Sequence, residues 1–99
     1  MLHIVNKSPF ERNALESCLG HAEKGSSVLL IEDGVYAAAK GSAVSARLAE
    51  ALKTVKVYAL VADLAARGMQ NRVMDGVRLV DYGGFVDLVT GHDAVQSWL

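Results

Sequence analysis

The 99-residue sequence has a single cysteine, Cys18, a single proline and no run of like charges. One cysteine cannot form an internal disulfide, which fits a reducing compartment and leaves a free thiol. Ten basic and eleven acidic residues give a net charge of −1, without the clustered Lys and Arg with which proteins bind nucleic acid. No apolar run has the roughly 20 residues of a membrane-spanning helix, and the N-terminus lacks the features of a signal peptide. We therefore expect a cytoplasmic protein that binds neither nucleic acid nor membranes directly.

Hydrophobic residues, in contrast, are abundant for so short a chain. They make up 52% of the sequence, and the mean hydropathy is +0.24. A chain of this length forms one domain, residues 1–99, and buries only about two-thirds of the surface that its unfolded form exposes. Apolar surface left exposed on a small domain usually marks a protein interface. We therefore expect the chain to be part of an oligomer.

Segments typical of strands alternate with segments typical of helices. Continuous or alternating apolar runs predict strands at residues 2–5, 27–31, 56–61 and 77–80. Helical spacing predicts helices from about residue 8 to 25, over 43–52, over 64–67 and from 81 to 91. Ser8, Pro9 and Glu11 have the pattern of a capping box with proline at the first helical position. This alternation predicts an α/β fold in three layers, with a mostly parallel sheet and helices on both faces.

Cys18 lies within the apolar stripe of the first predicted helix, and two interpretations remain open. Free cysteine is among the most buried residue types, which favours packing in the core. Alternatively, His21 lies three residues further on and could face the thiol, forming a thiolate–imidazolium pair. A reactive thiol needs a cation, a metal or a helix N-terminus nearby, and Cys18 is in the second half of its helix. Catalysis, if present, is expected at Cys18.

Polar side chains at the predicted carboxyl edge of the sheet form a second candidate site. Glu32, Asp33 and Asp63 follow predicted strands, and they could bind a metal or act as acid and base. Helix capping explains Asp33 and Asp63 without either role. No two histidines have the spacing of metal ligands, and no glycine-rich phosphate loop is present. We therefore expect no metal site. Trp98, the only tryptophan, should dock either on its own domain or on a neighbouring subunit.

Five segments, in order along nearly the whole chain, resemble the DsrH/TusB family. The opening LHIVNKSPF is similar to the family's "LH-x-x-x-x-SP" start, and IEDGVYAA to its "(Q/E)DGV-x-AA" segment. VYAL followed by DLAARG resembles "VYAL-x-x-DL-x-ARG", while DYGGFV and the final WL fit "DY-x-x-FV" and the closing "WL". No single segment is specific, but five in the same order identify the chain as a member of this family.

The resemblance implies a DsrE-like fold and a place in a heterohexameric sulfurtransferase complex with DsrE- and DsrF-type subunits. Such complexes pass sulfur as a cysteine persulfide and exchange it with a small DsrC-type carrier, with no metal or organic cofactor. The main catalytic cysteine belongs to the E-type subunit. In the sulfur-oxidation branch the H-type chain has a cysteine in its first helix, whereas TusB of the tRNA-thiolation branch lacks it. Cys18 therefore favours a DsrH-type subunit of dissimilatory sulfur oxidation, with Cys18 as sulfur acceptor.

Two alternatives to this prediction remain. The chain could be a TusB-like subunit of the sulfur relay for 2-thiouridine synthesis in tRNA. It could also be a non-catalytic subunit that completes the oligomer, with Cys18 serving only as core packing.

Overall fold

A five-stranded, fully parallel sheet forms the centre of the molecule. The computed structural model describes residues 1–98. In chain order the strands are β1 (Leu2–Val5), β2 (Ser27–Leu30), β3 (Lys56–Leu60), β4 (Arg78–Val80) and β5 (Val95–Trp98). Their order in the sheet is β4-β3-β2-β1-β5, and every neighbouring pair is parallel. The predicted α/β class with a parallel sheet is confirmed.

Helices cover both faces of this sheet. They are α1 (Ala14–His21), a 3-10 helix (Glu32–Ala38), α2 (Ser45–Ala51), α3 (Val61–Ala66) and α4 (Tyr82–Thr90). The chain steps in one direction from β1 to β4, so right-handed crossovers place α1, the 3-10 helix, α2 and α3 on one face. It then returns past β1 to β5, which places α4 on the opposite face. None of the helices within residues 1–98 combines the length and the apolar composition needed to cross a membrane.

The main core lies between the sheet and the α1 side. Alternate residues of the central strands, such as Val5, Leu30 and Val57, meet apolar side chains of the helices there. Those side chains are Leu15, Cys18, Leu19, Val35, Leu48 and Leu64. On the other face the cover is thinner, since α4 has no buried residue. The α1 side of the sheet is therefore the well-packed one.

Two local predictions about the helices are wrong. The first helix begins at Ala14 rather than after Ser8, because the Ser8 Oγ accepts from the Phe10 N–H at 3.2 Å and closes a turn instead of a capping box. Phe10 is consequently exposed and not part of the apolar stripe. Asp63 lies in the first turn of α3 and makes no capping bond to its own helix. The helix predicted from residue 81 is α4, and Asp81 caps it, since its Oδ1 accepts from the Gly84 N–H at 2.7 Å.

Candidate functional site

The only thiol, that of Cys18, is fully buried in the core between the sheet and α1. Cys18 has no exposed surface, and it packs among the apolar side chains of the sheet and helices. Loss of water around the group disfavours the thiolate, so burial raises the pKa of Cys18 to about 12. Cys18 lies at the centre of an eight-residue helix, beyond the reach of the N-terminal dipole. The arrangement therefore holds the sulfur as a neutral thiol.

His21 does not activate this thiol. Its Nδ1 lies 2.7 Å from the backbone oxygen of Ser17, one helical turn earlier, and a carbonyl only accepts, so this nitrogen carries the proton. The His21 ring packs against Trp98, with 5.4 Å between ring centroids. The imidazole is therefore used for contacts with β5, and the predicted thiolate–imidazolium pair is not formed.

Two surface cavities adjoin α1, and neither is lined by Cys18. The larger, of about 550 Å³, lies between the 9–13 turn and the start of α2, with Phe10, Leu15 and Val44 in its wall. The smaller, of about 290 Å³, lies between the end of α1 and β5. A donor persulfide entering either cavity would meet other side chains before the sulfur. Access to Cys18 requires displacement of α1 or of the elements packed against it.

The smaller cavity contains a contact between the two ends of the chain. His3 is 3% exposed, and its Nδ1 accepts a hydrogen bond from the Trp98 indole N–H at 3.1 Å. The two rings lie 6.1 Å apart between centroids. Burial is the main cause that lowers the pKa of His3, and the N-terminal amino group and His21 lower it further. Trp98 therefore docks on its own domain, one of the two outcomes left open by the sequence.

At the carboxyl edge of the sheet, two of the three candidate carboxylates, those of Asp33 and Asp63, have structural partners. Asp33 Oδ1 accepts from Nε and Nη2 of Arg67 at 3.0 and 2.9 Å. Asp63 Oδ2 accepts from the Glu32 N–H at 2.7 Å, and this bond holds Glu32 at a φ of 49°, a left-handed conformation that is uncommon outside glycine. Both aspartates thus tie the 3-10 helix to α3, so the prediction that they cap their own helices is wrong.

No set of three His, Cys, Asp or Glu side chains within residues 1–98 is arranged to hold a metal ion. Sequence reasoning found Cys18, Glu32, Asp33 and Asp63 but missed both Arg67 and the His3–Trp98 contact. Arg67 is 34 residues from Asp33, and Trp98 is 95 residues from His3. The presence of a single tryptophan was the one signal in the sequence that pointed to the second contact.

Comparison with known structures defines the class of fold. The structure superposes on the ychN protein of Escherichia coli with a TM-score of 0.79, at 18% identity, covering 98% of this chain and 97% of that one. It superposes on MTH1491 of Methanobacterium thermoautotrophicum with a TM-score of 0.72, at 21% identity, covering 97% and 95% of the two chains. The chain therefore has the DsrE-like α/β fold.

Sequence comparison then identifies the family. The model of the DsrH-like proteins matches residues 7–95. Protein TusB of Pectobacterium parmentieri is 35% identical over 98 residues, covering 99% of this chain and all of the relative. Protein TusB of Escherichia coli is 36% identical over 100 residues with the same coverage. This chain belongs to the DsrH/TusB family.

Proposed function

We propose that the chain is the TusB-type subunit of a sulfur relay for 2-thiouridine synthesis in tRNA, and that it supports the complex without carrying sulfur itself. The full-length similarity to TusB proteins supports this branch over sulfur oxidation. The role within the complex rests on a single observation, the burial of Cys18. The chain's task is then to complete the oligomer and shape the site of a partner that carries the reactive cysteine.

Persulfide transfer requires a thiolate that can reach its donor. With a pKa of about 12 for Cys18, only about one thiol in 10⁵ is ionised at pH 7. Even the ionised fraction could not contact a donor persulfide, because the Cys18 sulfur has no exposed surface. A relay through this subunit therefore needs a thiol on another chain.

Exposed apolar side chains supply the surface for such partners. Tyr82 and Val86 on α4 are 63% and 57% exposed, and Leu79 on β4 and Val95 on β5 are also exposed. These residues belong to the thinly covered side and edges of the sheet. Burial of large apolar groups is the main favourable term in protein association, so this distribution supports a multi-subunit complex.

The second candidate function is a DsrH-type subunit of sulfur oxidation, in which Cys18 accepts sulfur. The presence of a cysteine in the first helix favours it. The Cys18 thiolate would attack the outer sulfur of a persulfide on a DsrC-type or DsrE-type partner, forming a Cys18 persulfide and releasing the partner's thiolate. This candidate requires a DsrE/DsrF-type partner to displace α1, because the closed domain shields the sulfur.

Complementation tests the proposed function. The chain, with the E- and F-type subunits of its own genome, is expressed in bacteria that lack their TusB, TusC and TusD proteins, and 2-thiouridine in tRNA is quantified. We expect the wild-type chain to restore thiolation. With Cys18→Ala and Cys18→Val, the 2-thiouridine formed per amount of assembled complex should be within about twofold of the wild-type value. Leu15→Ala is the matched control for loss of core packing on the same helix.

Two results would contradict the proposal in distinguishable ways. An assembled complex that restores no 2-thiouridine would reject the tRNA-thiolation branch. Restoration by the wild type but not by either Cys18 variant, with Leu15→Ala active, would reject the supporting role and assign sulfur transfer to Cys18.

A further inference from the structure

We propose that His3 and Trp98 form a proton-sensitive latch that holds the C-terminal strand β5 on the sheet and releases it when His3 is protonated. The latch joins the first strand of the fold to the last one. It is independent of the proposed sulfur chemistry, since it involves neither Cys18 nor a partner chain.

The hydrogen bond fixes the tautomer that the latch needs. An indole N–H only donates, so His3 Nδ1, at 3.1 Å from Trp98 Nε1, must present its lone pair. Neutral His3 therefore carries its proton on Nε2. A protonated imidazole has N–H groups at both nitrogens, so protonation would place two donors against each other and remove the bond.

The surroundings of His3 oppose a positive charge. The Met1 amino group, just before β1, and His21, at the end of α1, both disfavour protonation of His3. Glu23, in the segment after α1, also lines the cavity and is the one acidic group among its described residues. Burial, the Met1 amino group and His21 together set the pKa of His3 below its ordinary value, so the latch is closed at neutral pH and opens under acid conditions.

The attachment of β5 to the rest of the sheet is limited, so this contact contributes to it. It is an edge strand that pairs only with β1. Its first three residues are exposed, and Trp98 is the only one of its four side chains that is partly buried. When Trp98 loses its acceptor, β5 keeps only the backbone ladder and the packing of the Trp98 ring against His21 and the core. Its loss would expose the edge of β1, a pairing template for another strand.

Hydrogen exchange on the full chain, followed by NMR as the pH is lowered from about 8 to about 5, tests the latch. Long-range nitrogen–proton spectra follow the tautomer and protonation of His3, while the single tryptophan gives one indole signal. We expect the protection factors of the β5 amides to fall about tenfold or more as His3 protonates. The protection of the internal strand β3 follows the global free energy of unfolding, so a fall in β5 protection that exceeds the fall in β3 protection separates latch opening from global unfolding.

Two variants separate the latch from its neighbours. His3→Asn keeps an acceptor oxygen near the position of Nδ1 and does not titrate, so β5 protection should become independent of pH. His21→Gln removes the other imidazole beside Trp98 and should leave the acid transition in place. Constant β5 protection in the wild type while His3 titrates would overturn the proposal. An acid transition that persists in His3→Asn would also overturn it.

Discussion

Gly34 is the position where a single methyl group should do most damage to the fold. It lies in the 3-10 helix directly against the end of β1, and a Cβ built there would overlap the backbone oxygen of Val5 and lie 2.9 Å from its carbonyl carbon. That oxygen cannot move freely, because it accepts the Ile31 N–H at 3.0 Å in the continuation of the β1–β2 ladder. Gly34→Ala must therefore displace the backbone at the carboxyl edge.

The magnitude follows from three contributions. Overpacking of a closed site costs about 1 to 3 kcal/mol, and a weakened ladder hydrogen bond adds about 1 kcal/mol. Alanine lowers the conformational entropy of the unfolded chain, which offsets about 0.5 kcal/mol of this loss. We therefore expect Gly34→Ala to lower the free energy of unfolding by about 1.5 to 3.5 kcal/mol and the Tm by about 6 to 28 °C.

Gly20→Ala is the matched control. Gly20 lies in α1, has no positive φ, and its added Cβ would meet no atom within 4 Å. The same substitution there should raise the free energy of unfolding by about 0.5 to 1 kcal/mol, the difference in helix propensity. Urea unfolding followed by circular dichroism measures both variants. Equal effects at the two positions, or a loss below about 1 kcal/mol for Gly34→Ala, would refute the packing argument.

Three further predictions concern charge and capping. The pKa of His3 is lowered in the folded state, so the unfolded chain takes up more protons than the folded chain in acid. The urea midpoint should therefore decline as the pH falls below about 6.5. A midpoint that does not change with pH would contradict a buried neutral His3. Arg67→Lys loses the two hydrogen bonds to Asp33 and should lower the free energy of unfolding in urea by about 1 kcal/mol. Arg47→Lys, at a more exposed ion pair, should lower it by less than about 0.5 kcal/mol. Equal losses would argue against a special role for Arg67. Asp81→Ala removes the cap of α4 and should lower stability by about 1 kcal/mol, a loss that serine at the same position should largely avoid; no difference between the two variants would count against the cap.

The sequence was sufficient for the elements that have their own pattern. The predicted strands at 2–5 and 27–31 match β1 and β2 to within one residue, because a short run of apolar residues in the sequence indicates a buried strand directly. The cap at Asp81 was also predictable, since a cap is a contact within four residues. These features depend on neighbours along the chain.

Features set by distant contacts were not predictable in the same way. β5 lacks apolar alternation, and its first three side chains are exposed; it becomes a strand because it pairs with β1, more than 90 residues away. The late start of α1 reflects the Ser8 turn, which competes with the capping box that the same residues could form. For the candidate site, Cys18 was found from the sequence, but its complete burial depends on how the sheet, α1 and the other helices close around it.

Intact-mass spectrometry of the chain within its complex tests the central claim most directly. The complex with the proposed partner subunits is exposed to a persulfide donor, divided, and one half is treated with a reductant. We expect a partner subunit to gain a reductant-labile sulfur atom while this chain keeps its mass, because its only thiol is buried and neutral. Gain of one labile sulfur on this chain, absent in Cys18→Ala, would contradict the account and make Cys18 a carrier.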